Sequence, residues 1–312
     1  MALTLSPLPA DEYASWREGA IERRAQGRAV LLAGDVALAR ERVRRDTDPV
    51  LATDGPVGRN EVLVVADGLQ RRGAFALMWQ SDTRAYVLDL VVRDLADTAA
   101  ARALVEQRVA AAGGRSLGIR LVPGDRVAAA FVADAPFHLV STQMVLDLAV
   151  PGPDQQPERI RARPMTEDEL SRYFDTAAEE FADETMRADP LRSREDAVQS
   201  SRRMYDAILP EGLATAGHEF LVAVAADDGR RIGMLWLLHE ERSGFVYDVV
   251  VDDEERGRGY GRALMDLAAA HCRGRGLRVL ALNVFAHNHV ARALYDALGY
   301  VVVDDTVQEP VG

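Results

Sequence analysis

Hydrophobic and polar positions along this chain predict a mixed α/β structure. In the second half, three segments rich in valine, leucine and aromatic residues predict consecutive strands: EFLVAVAA from Glu219, RIGMLWLLHE from Arg231 and SGFVYDVVVDD from Ser243. Apolar positions then recur at helical spacing and predict one face of an amphipathic helix, formed by Tyr260, Ala263, Leu264, Leu267, Ala268 and His271.

The flanking segments complete one α/β unit. A long helical region is predicted over 167–209, ahead of the three strands. RVLALNVF, over 278–285, predicts a strand, and 288–299 predicts a helix that stops at Gly299. YVVV, over 300–303, predicts the last strand, so the predicted order is β-αα-βββ-α-β-α-β.

The first half repeats this pattern, which predicts a duplicated domain. SPLPADEY parallels RPMTEDEL, EVLVVADG parallels EFLVAVAADDG, and AYVLDLVVRD parallels FVYDVVVDDE, at a nearly constant separation. PGPDQQPER, from Pro151 to Arg159, is polar and proline-rich and predicts a linker. The predicted organisation is a first domain over 1–150, a linker over 151–159 and a second domain over 160–312.

Composition narrows the classes of function. The 312 residues carry a net charge of −12, which argues against nucleic acid and anionic membranes as partners. All 37 basic residues are arginine, so P-loop, kinase and Schiff-base lysines are excluded. A single cysteine, no signal peptide and no long apolar run lead us to expect a cytoplasmic protein that does not span a membrane.

The stretch ERGRGYGRAL, from Glu255 to Leu264, places glycines and arginines at the start of the predicted helix. A helix N-terminus attracts anions, glycines permit close approach of the backbone, and arginines pair with phosphate. The pattern therefore predicts a phosphate site. It lacks the lysine of a P-loop, and the dinucleotide fingerprint would need glycine at Arg262. A glycine-rich turn that only starts a helix remains the alternative for this motif alone.

A second motif lies downstream in NHVARALYDALGY. Asn288, Ala291, Tyr295, Gly299 and Tyr300 follow the spacing N-x-x-A-x-x-x-Y-x-x-x-G-[FY]. With the R-x-x-G-x-G pattern of the glycine loop, the second half resembles the GNAT superfamily of acyl-CoA-dependent N-acetyltransferases. The resemblance implies an α/β fold with two tandem GNAT-like domains. Each would be a mixed, largely antiparallel twisted sheet, flanked by helices, with one splayed pair of strands.

The resemblance also implies which residues hold acetyl-CoA as co-substrate. The pantetheine arm would lie between the splayed strands, against the backbone of Val249, Val250 and Val251. The pyrophosphate would lie on the glycine loop, formed by Arg256, Gly257, Arg258, Gly259, Tyr260, Gly261 and Arg262. Asn288 would hydrogen-bond the cofactor arm, and Tyr295 would be the general acid that protonates the leaving thiolate.

The general base and any metal are harder to predict. Asp248, a lone carboxylate in an apolar strand, is the candidate base, but Asp89 stands at the same place in the first half, which favours a structural role. Glu219 likewise has Glu61 at the corresponding place of the first half, which favours a structural role for it too. Solvent is therefore the alternative acceptor of the proton that the amine loses. The HNH segment at 287–289 suggests no metal site, because the sequence shows no further ligand cluster beside it. Cys272 lies too far along its helix for an acyl-cysteine, so we expect direct transfer and no metal.

The first half has lost the chemistry of the second. Alanines stand where the second half has its loop arginine and glycines, at Ala96, Ala99 and Ala101. Asp125 and Val132 stand at the positions of Asn288 and Tyr295. We therefore expect a degenerate, non-catalytic first domain.

The acceptor is predicted only as a primary amine of a small molecule, such as an amino sugar, polyamine, amino acid or antibiotic, with a protein N-terminus also open. Acidic residues at 179, 180, 183 and 184 would attract a cation, although a solvated helix face is the favoured explanation. Two alternatives remain: a tandem acetyltransferase similar to mycothiol synthase, and a non-catalytic acyl-CoA sensor or scaffold. The sequence predicts no oligomeric state.

Overall fold

The structure is a computed structural model that describes residues 3–150, 158–188 and 194–312. The first half forms β1 (Thr4–Pro7), α1 (Ala10–Arg28), α2 (Val36–Thr47), β2 (Leu51–Ala52), β3 (Gly55–Pro56), β4 (Glu61–Asp67), β5 (Gln70–Trp79), β6 (Arg84–Val92), α3 (Thr98–Ala111), β7 (Ser116–Leu121), α4 (Arg126–Val132) and β8 (His138–Asp147). The second forms β9 (Ile160–Pro164), α5 (Glu167–Ala188), α6 (Arg194–Ile208), β10 (His218–Ala225), β11 (Arg231–His239), β12 (Ser243–Val251), α7 (Tyr260–Gly274), β13 (Val279–Phe285), α8 (His289–Ala297) and β14 (Val301–Pro310).

Within the described residues the chain divides into two compact units. The first unit comprises 3–30, 34–142 and 303–312, and the second comprises 31–33 and 143–302. In the first unit the strand order is β1-β4-β5-β6-β7-β14, and in the second it is β9-β10-β11-β12-β13-β8. The pairs β1–β4, β4–β5, β5–β6 and β7–β14 of the first unit and β9–β10, β10–β11 and β11–β12 of the second are antiparallel. β6 with β7 in the first unit and β12 with β13 in the second are parallel. The predicted α/β fold with largely antiparallel sheets is confirmed.

The units exchange strands relative to the predicted halves. The C-terminal strand β14 pairs with β7, and its Val307 is buried in the core of the first unit. Conversely, Met144 and Leu148 at the end of the first half are buried in the core of the second unit. The structural division therefore differs from the predicted boundaries at 150 and 160, because strand patterns do not reveal which sheet a strand joins. Most of the predicted linker, 151–157, lies outside the described residues.

The same irregularity interrupts both sheets. The register of β11 with β12 shifts between Trp236 and Leu237, and that of β5 with β6 shifts between Ala76 and Leu77. Such a bulge bends its strand and re-aims the side chains beside it. In each unit a glycine, Gly233 or Gly73, lies where a Cβ would overlap a carbonyl oxygen of the bulged strand. Retention of these details in both units supports the duplication.

The bulged strand then leaves its parallel neighbour. Pairing of β12 with β13 joins Ser243–Val246 to Val279–Leu282 and goes no further, although β12 continues to Val251. In the first unit β6 pairs with β7 only from Arg84 to Val87. A splayed strand pair is therefore present in both units, as predicted.

Helix α7 fixes the geometry on one side of the second sheet. The predicted face is buried from Tyr260 to Ala268, and Leu264 and Leu267 are fully buried. Each such leucine contributes about 1.5–3 kcal/mol through burial of its side chain. Met265, Ala269 and Cys272 are buried as well, against a second core cluster. The helix is thus held firmly, and its N-terminus is placed by packing.

Candidate active site

The glycine loop joins β12 to α7 through two left-handed residues. Gly257 has φ +76° and Gly259 has φ +80°, a region that residues with a Cβ rarely adopt. Gly259 is the N-cap of α7, and no side chain accepts a hydrogen bond from the first turn. Backbone N–H groups at an uncapped helix N-terminus carry a partial positive charge and attract anions. The loop therefore has the conformation of an anion site.

A buried carboxylate organises the arginines of this loop. Glu255 accepts a hydrogen bond from Arg230 Nε at 2.9 Å and another from Arg258 at 3.2 Å. Arg230 also donates to the Tyr260 hydroxyl at 3.1 Å. Arg258 is thus held in place by an ion pair, although its side chain is largely exposed. Neither Glu255 nor Arg230 was expected from the sequence, since Arg230 belongs to a different part of the chain.

Further guanidinium groups surround the loop. Arg256 is exposed, pairs with Asp253 at 2.8 Å and donates to the Val251 carbonyl. Arg159 lies over the Tyr260 ring, 4.7 Å from its centre, and was assigned to the linker by the sequence analysis. Arg262 is exposed on the first turn of α7. The arginines predicted for this loop therefore lie around it, and two of them are paired with acidic residues of the same segment.

Tyr295 lies on α8 and is buried, with 6% of its surface exposed. Its ring lies 5.7 Å from that of Tyr300. Burial, and then the charge of Asp248, raise the pKa of Tyr295 to about 12. The hydroxyl is therefore protonated at neutral pH, as a proton donor must be. The interaction with Asp248 brings both predicted catalytic residues to the same region of the second unit.

Asp248 is tied to the long helix α5. Its Oδ2 atom accepts a hydrogen bond from the Tyr173 hydroxyl at 2.7 Å. Burial raises the pKa of Asp248, while the bonds from Tyr173 and the Val249 N–H lower it. In the first unit Asp89 is bound in the same way by Arg23 of α1, at 2.6 Å and 3.2 Å. Both units thus anchor this carboxylate to their first helix, which favours a structural role.

Asn288 caps helix α8. Its Oδ1 atom accepts a hydrogen bond from the Ala291 N–H at 3.1 Å. Asp125 caps α4 of the first unit by accepting from Val127 and Ala128, each at 3.0 Å. Asn288 and Asp125 therefore share the role of helix N-cap. The contact of Asn288 with a cofactor stays a prediction, and its amide NH₂ group is the part left to make it.

Val249, Val250 and Val251 lie beyond the point where β13 leaves β12. They pair with β11 from Leu235 to Gly233 along one edge of the strand. The other edge is not paired with β13 beyond Val246, and the binding of pantetheine there stays a prediction.

The first unit lacks the left-handed glycines of the loop, and Asp97 stands at the place of Gly257. Asp94 accepts a hydrogen bond from the Ala96 N–H at 3.0 Å and caps a short 3-10 turn, Leu95–Asp97. Asp97 then precedes α3 with φ −82°, so no left-handed glycine lies at this helix start. The backbone conformation that forms the anion site in the second unit is therefore absent from this helix start.

Of the acidic residues at 179, 180, 183 and 184 on α5, three are paired. Arg194 contacts Glu179 and Asp183, and Glu184 binds His287 and Arg187. The charge of Glu180 raises the pKa values of Asp248 and Tyr205, after burial as the larger cause. Glu180 is therefore the acid of this group that acts electrostatically on the site.

Cys272 is packed in the core, and His287 is engaged by Phe285 and Glu184. Cys272 is fully buried, and burial raises the pKa of its thiol to about 12. His287 stacks on Phe285 with ring centres 5.7 Å apart. Among the described residues, metal-ligating atoms come together elsewhere, at Glu219, His239 and His271. The sequence analysis missed this cluster, since its members belong to three different elements.

Comparison with known proteins identifies the family. The model of the acetyltransferase (GNAT) family matches residues 176–300. The uncharacterized N-acetyltransferase YycN of Bacillus subtilis is 31% identical over 149 residues, which are 46% of this chain and 94% of YycN. This chain belongs to the GNAT family of acetyltransferases. It is therefore an acyltransferase.

Other comparisons concern the tandem arrangement. A mycothiol acetyltransferase of Beutenbergia cavernae is 33% identical over 160 residues, which are 50% of this chain and 53% of that protein. The GCN5-related N-acetyltransferase from Sphaerobacter thermophilus has a TM-score of 0.61 at 18% identity, covering 99% of this chain and 96% of that one. A tandem GNAT protein from the clavulanic acid biosynthesis pathway has a TM-score of 0.53 at 20% identity, covering 99% of both chains. The fold is therefore that of two tandem GNAT domains. Along the described residues no helix is long and apolar enough to cross a membrane.

Proposed function

We propose that the second unit transfers an acetyl group from acetyl-CoA directly to a primary amine of a small molecule. The observation that carries this proposal is the glycine loop. Two left-handed glycines open onto an uncapped helix start, with Arg256, Arg258 and Arg262 beside it. That combination suits a pyrophosphate, because backbone N–H groups and guanidinium groups both bind phosphate oxygens.

The chain's own groups then divide the work of transfer. A backbone N–H on the free edge of β12, within 249–251, polarises the thioester carbonyl and stabilises the charge that develops on its oxygen. The amine nitrogen bonds to the carbonyl carbon, and the C–S bond breaks. The Tyr295 hydroxyl gives its proton to the departing thiolate. The amine loses its proton to solvent in this scheme, because Asp248 is already engaged by Tyr173.

Glu180 supports a cationic acceptor. It is exposed on α5, and its charge reaches Asp248 and Tyr205. A carboxylate there attracts the protonated amine before transfer. The candidate acceptors are amino sugars, polyamines, amino acids, antibiotics and protein N-termini.

A second candidate is acetylation of the mycothiol precursor. The observation in its favour is the relationship to the mycothiol acetyltransferase of Beutenbergia cavernae. A third candidate, a non-catalytic acyl-CoA sensor, has the same loop but needs no proton donor at Tyr295.

One experiment separates the three candidates. Release of CoA thiol from acetyl-CoA is measured with a panel of amines that includes the unacetylated mycothiol precursor. Thiol release with a small amine supports the proposal, and release with the precursor alone supports the second candidate. Saturable acetyl-CoA binding without thiol release for any amine supports the sensor and contradicts the proposal.

A further inference from the structure

Glu219, His239 and His271 form a cluster in the second unit that the acetyl-transfer scheme does not use. Glu219 is the second residue of β10, His239 is the last residue of β11, and His271 lies in the last turn of α7. Nε2 of His239 lies 2.8 Å from Glu219 Oε2, and Nε2 of His271 lies 2.6 Å from the same oxygen. One ligand atom from each residue falls within 4.8 Å of the others.

The cluster is partly shielded from solvent. The exposed fractions of the three side chains are 24% for Glu219, 13% for His239 and 18% for His271. Two imidazoles and one carboxylate are nitrogen and oxygen ligands of the kind that Zn²⁺ binds. Three protein ligands also leave one tetrahedral position for water.

Hydrogen bonds alone do not satisfy every polar atom of this cluster. Arg275 donates to Glu219 Oε2 at 2.9 Å and also contacts His271 Nε2. If Nε2 of His271 carries a hydrogen atom, that hydrogen faces the N–H of Arg275. If Nε2 carries none, its lone pair faces the negatively charged carboxylate of Glu219. A metal ion resolves the conflict, because it takes the lone pairs of both imidazoles and of the carboxylate together. Arg275 is 44% exposed and is able to turn away into solvent.

The first unit has no such conflict at the equivalent place. Glu61 lies at the start of β4, at the place that corresponds to Glu219 in β10. Both carboxylate oxygens of Glu61 bind Arg108 of α3. A single arginine therefore satisfies the carboxylate there. In the second unit a histidine on α7 faces the carboxylate instead, and a second histidine joins it from β11. The copy with the glycine loop is also the copy with the metal-ligating set.

We propose that Glu219, His239 and His271 bind one divalent transition metal ion, with Zn²⁺ as the matching ion. Bond lengths of about 2.0–2.2 Å in a tetrahedral site separate ligand atoms by roughly 3.3–3.5 Å. The imidazoles therefore move outward by somewhat under 1 Å from their present distances, a shift that side-chain rotation supplies. Arg275 leaves the carboxylate as the ion enters.

The ion joins three elements and takes no part in acetyl transfer. His271 follows Tyr260 by eleven residues on α7, so the cluster lies about 16 Å along the helix from the glycine loop. Its effect is therefore on the stability of the second unit. His239 Nδ1 is buried without a hydrogen-bond partner among the described residues. A hydrogen bond to the second nitrogen of a metal-binding histidine typically raises metal affinity by about 10–100-fold. Because His239 lacks this bond, we expect moderate affinity for Zn²⁺.

Calorimetric titration of the metal-stripped full chain with ZnCl₂ tests the proposal. The expected result is one Zn²⁺ per chain and a higher melting temperature. His271→Ala and Glu219→Gln each weaken Zn²⁺ binding by on the order of 100-fold, since removal of one ligand from three leaves a poor chelate. The control His138→Ala removes an exposed histidine of the first unit and leaves binding unchanged. Acetyl-CoA affinity reports whether each variant is folded.

Arg275→Ala distinguishes a metal site from an ion-pair cluster. Because Arg275 competes with the ion for Glu219, its removal makes Zn²⁺ bind at least as tightly as in the unaltered chain. Visible absorption of the Co²⁺ form, with the intensity of a low-coordinate nitrogen and oxygen site, gives a second readout. Three results would overturn the proposal: no Zn²⁺ binding by the folded chain, binding that His271→Ala leaves unchanged, or weaker binding by Arg275→Ala.

Discussion

At the scale of single residues, the site depends on what each side chain is bonded to. The spacing of motifs predicted Tyr295, Gly259 and the loop arginines, and local backbone conformation follows from those residue types. It did not predict that Asn288 caps a helix or that Tyr173 binds Asp248. Those bonds depend on how helices pack, which a motif does not record.

Tyr295→Phe tests the proton donor. The ring still packs, so we expect unchanged acetyl-CoA affinity and a kcat lower by on the order of 10²-fold or more. Because the pKa of Tyr295 is raised to about 12, its hydroxyl stays protonated below that pH. The pH profile of kcat should therefore show no alkaline loss from this group below about pH 11. Steady-state kinetics with a shared amine acceptor provide the measurement.

Tyr300→Phe is the matched control for Tyr295→Phe. The Tyr300 hydroxyl is buried and has no hydrogen-bond partner among the described residues. Its removal should leave kcat unchanged and should not lower stability, because an unsatisfied buried hydroxyl costs about 1–3 kcal/mol. Equal losses of kcat in the two variants would mean that Tyr295 acts through packing alone.

Gly259→Ala tests the conformation of the loop. A residue with a Cβ at φ +80° costs about 1–2 kcal/mol. We expect the variant to fold and its acetyl-CoA dissociation constant to rise on the order of tenfold or more. Gly274→Ala, at the end of α7, is the control, since its Cβ meets nothing within 4 Å. Calorimetry that finds equal affinities for the two variants would remove the pyrophosphate-loop assignment.

At the scale of elements, most helices and strands followed from the sequence pattern. The strands over β10, β11 and β12 and the amphipathic face of α7 are confirmed, because periodicity reports directly on burial. YVVV predicted only the start of β14, which extends to Pro310. Its later residues, DDTVQEP, are mostly polar and carry little strand signal. The exchange of β8 and β14 between the units left no local pattern to find.

Removal of residues 303–312 tests that exchange. β14 pairs with β7 from Ser116 to Leu121, and it buries Val307 in the first core. Loss of this side chain alone costs about 1.5–3 kcal/mol. Hydrogen exchange should therefore show loss of protection over 116–121, while 279–285 in β13 keeps its protection. Loss of protection over 279–285 with retained protection over 116–121 would contradict the exchange and would support the predicted domain boundary at position 150.

At the scale of the whole molecule, the two units share one fold and differ in the residues at the helix start after the bulged strand. Both keep the bulge, the splayed strands and the anchored carboxylate, which the fold requires. The loop glycines are found in the second unit, and alanines and Asp97 stand at their positions in the first. The sequence predicted this asymmetry from alanines at 96, 99 and 101. The cluster of Glu219, His239 and His271 was beyond its reach, because it depends on where α7 crosses the sheet.

The central claim is that one unit of the two binds acetyl-CoA. Each charge-assisted hydrogen bond missing from the first unit costs roughly 1.5–3 kcal/mol of phosphate binding. Loss of several such bonds, and of the left-handed glycines, should leave the first unit without measurable affinity.

Calorimetric titration of the full chain with acetyl-CoA tests this claim most directly. We predict a stoichiometry of one acetyl-CoA per chain and a large loss of affinity in Gly259→Ala. A stoichiometry of two, or a single site that Gly259→Ala leaves intact, would contradict the account.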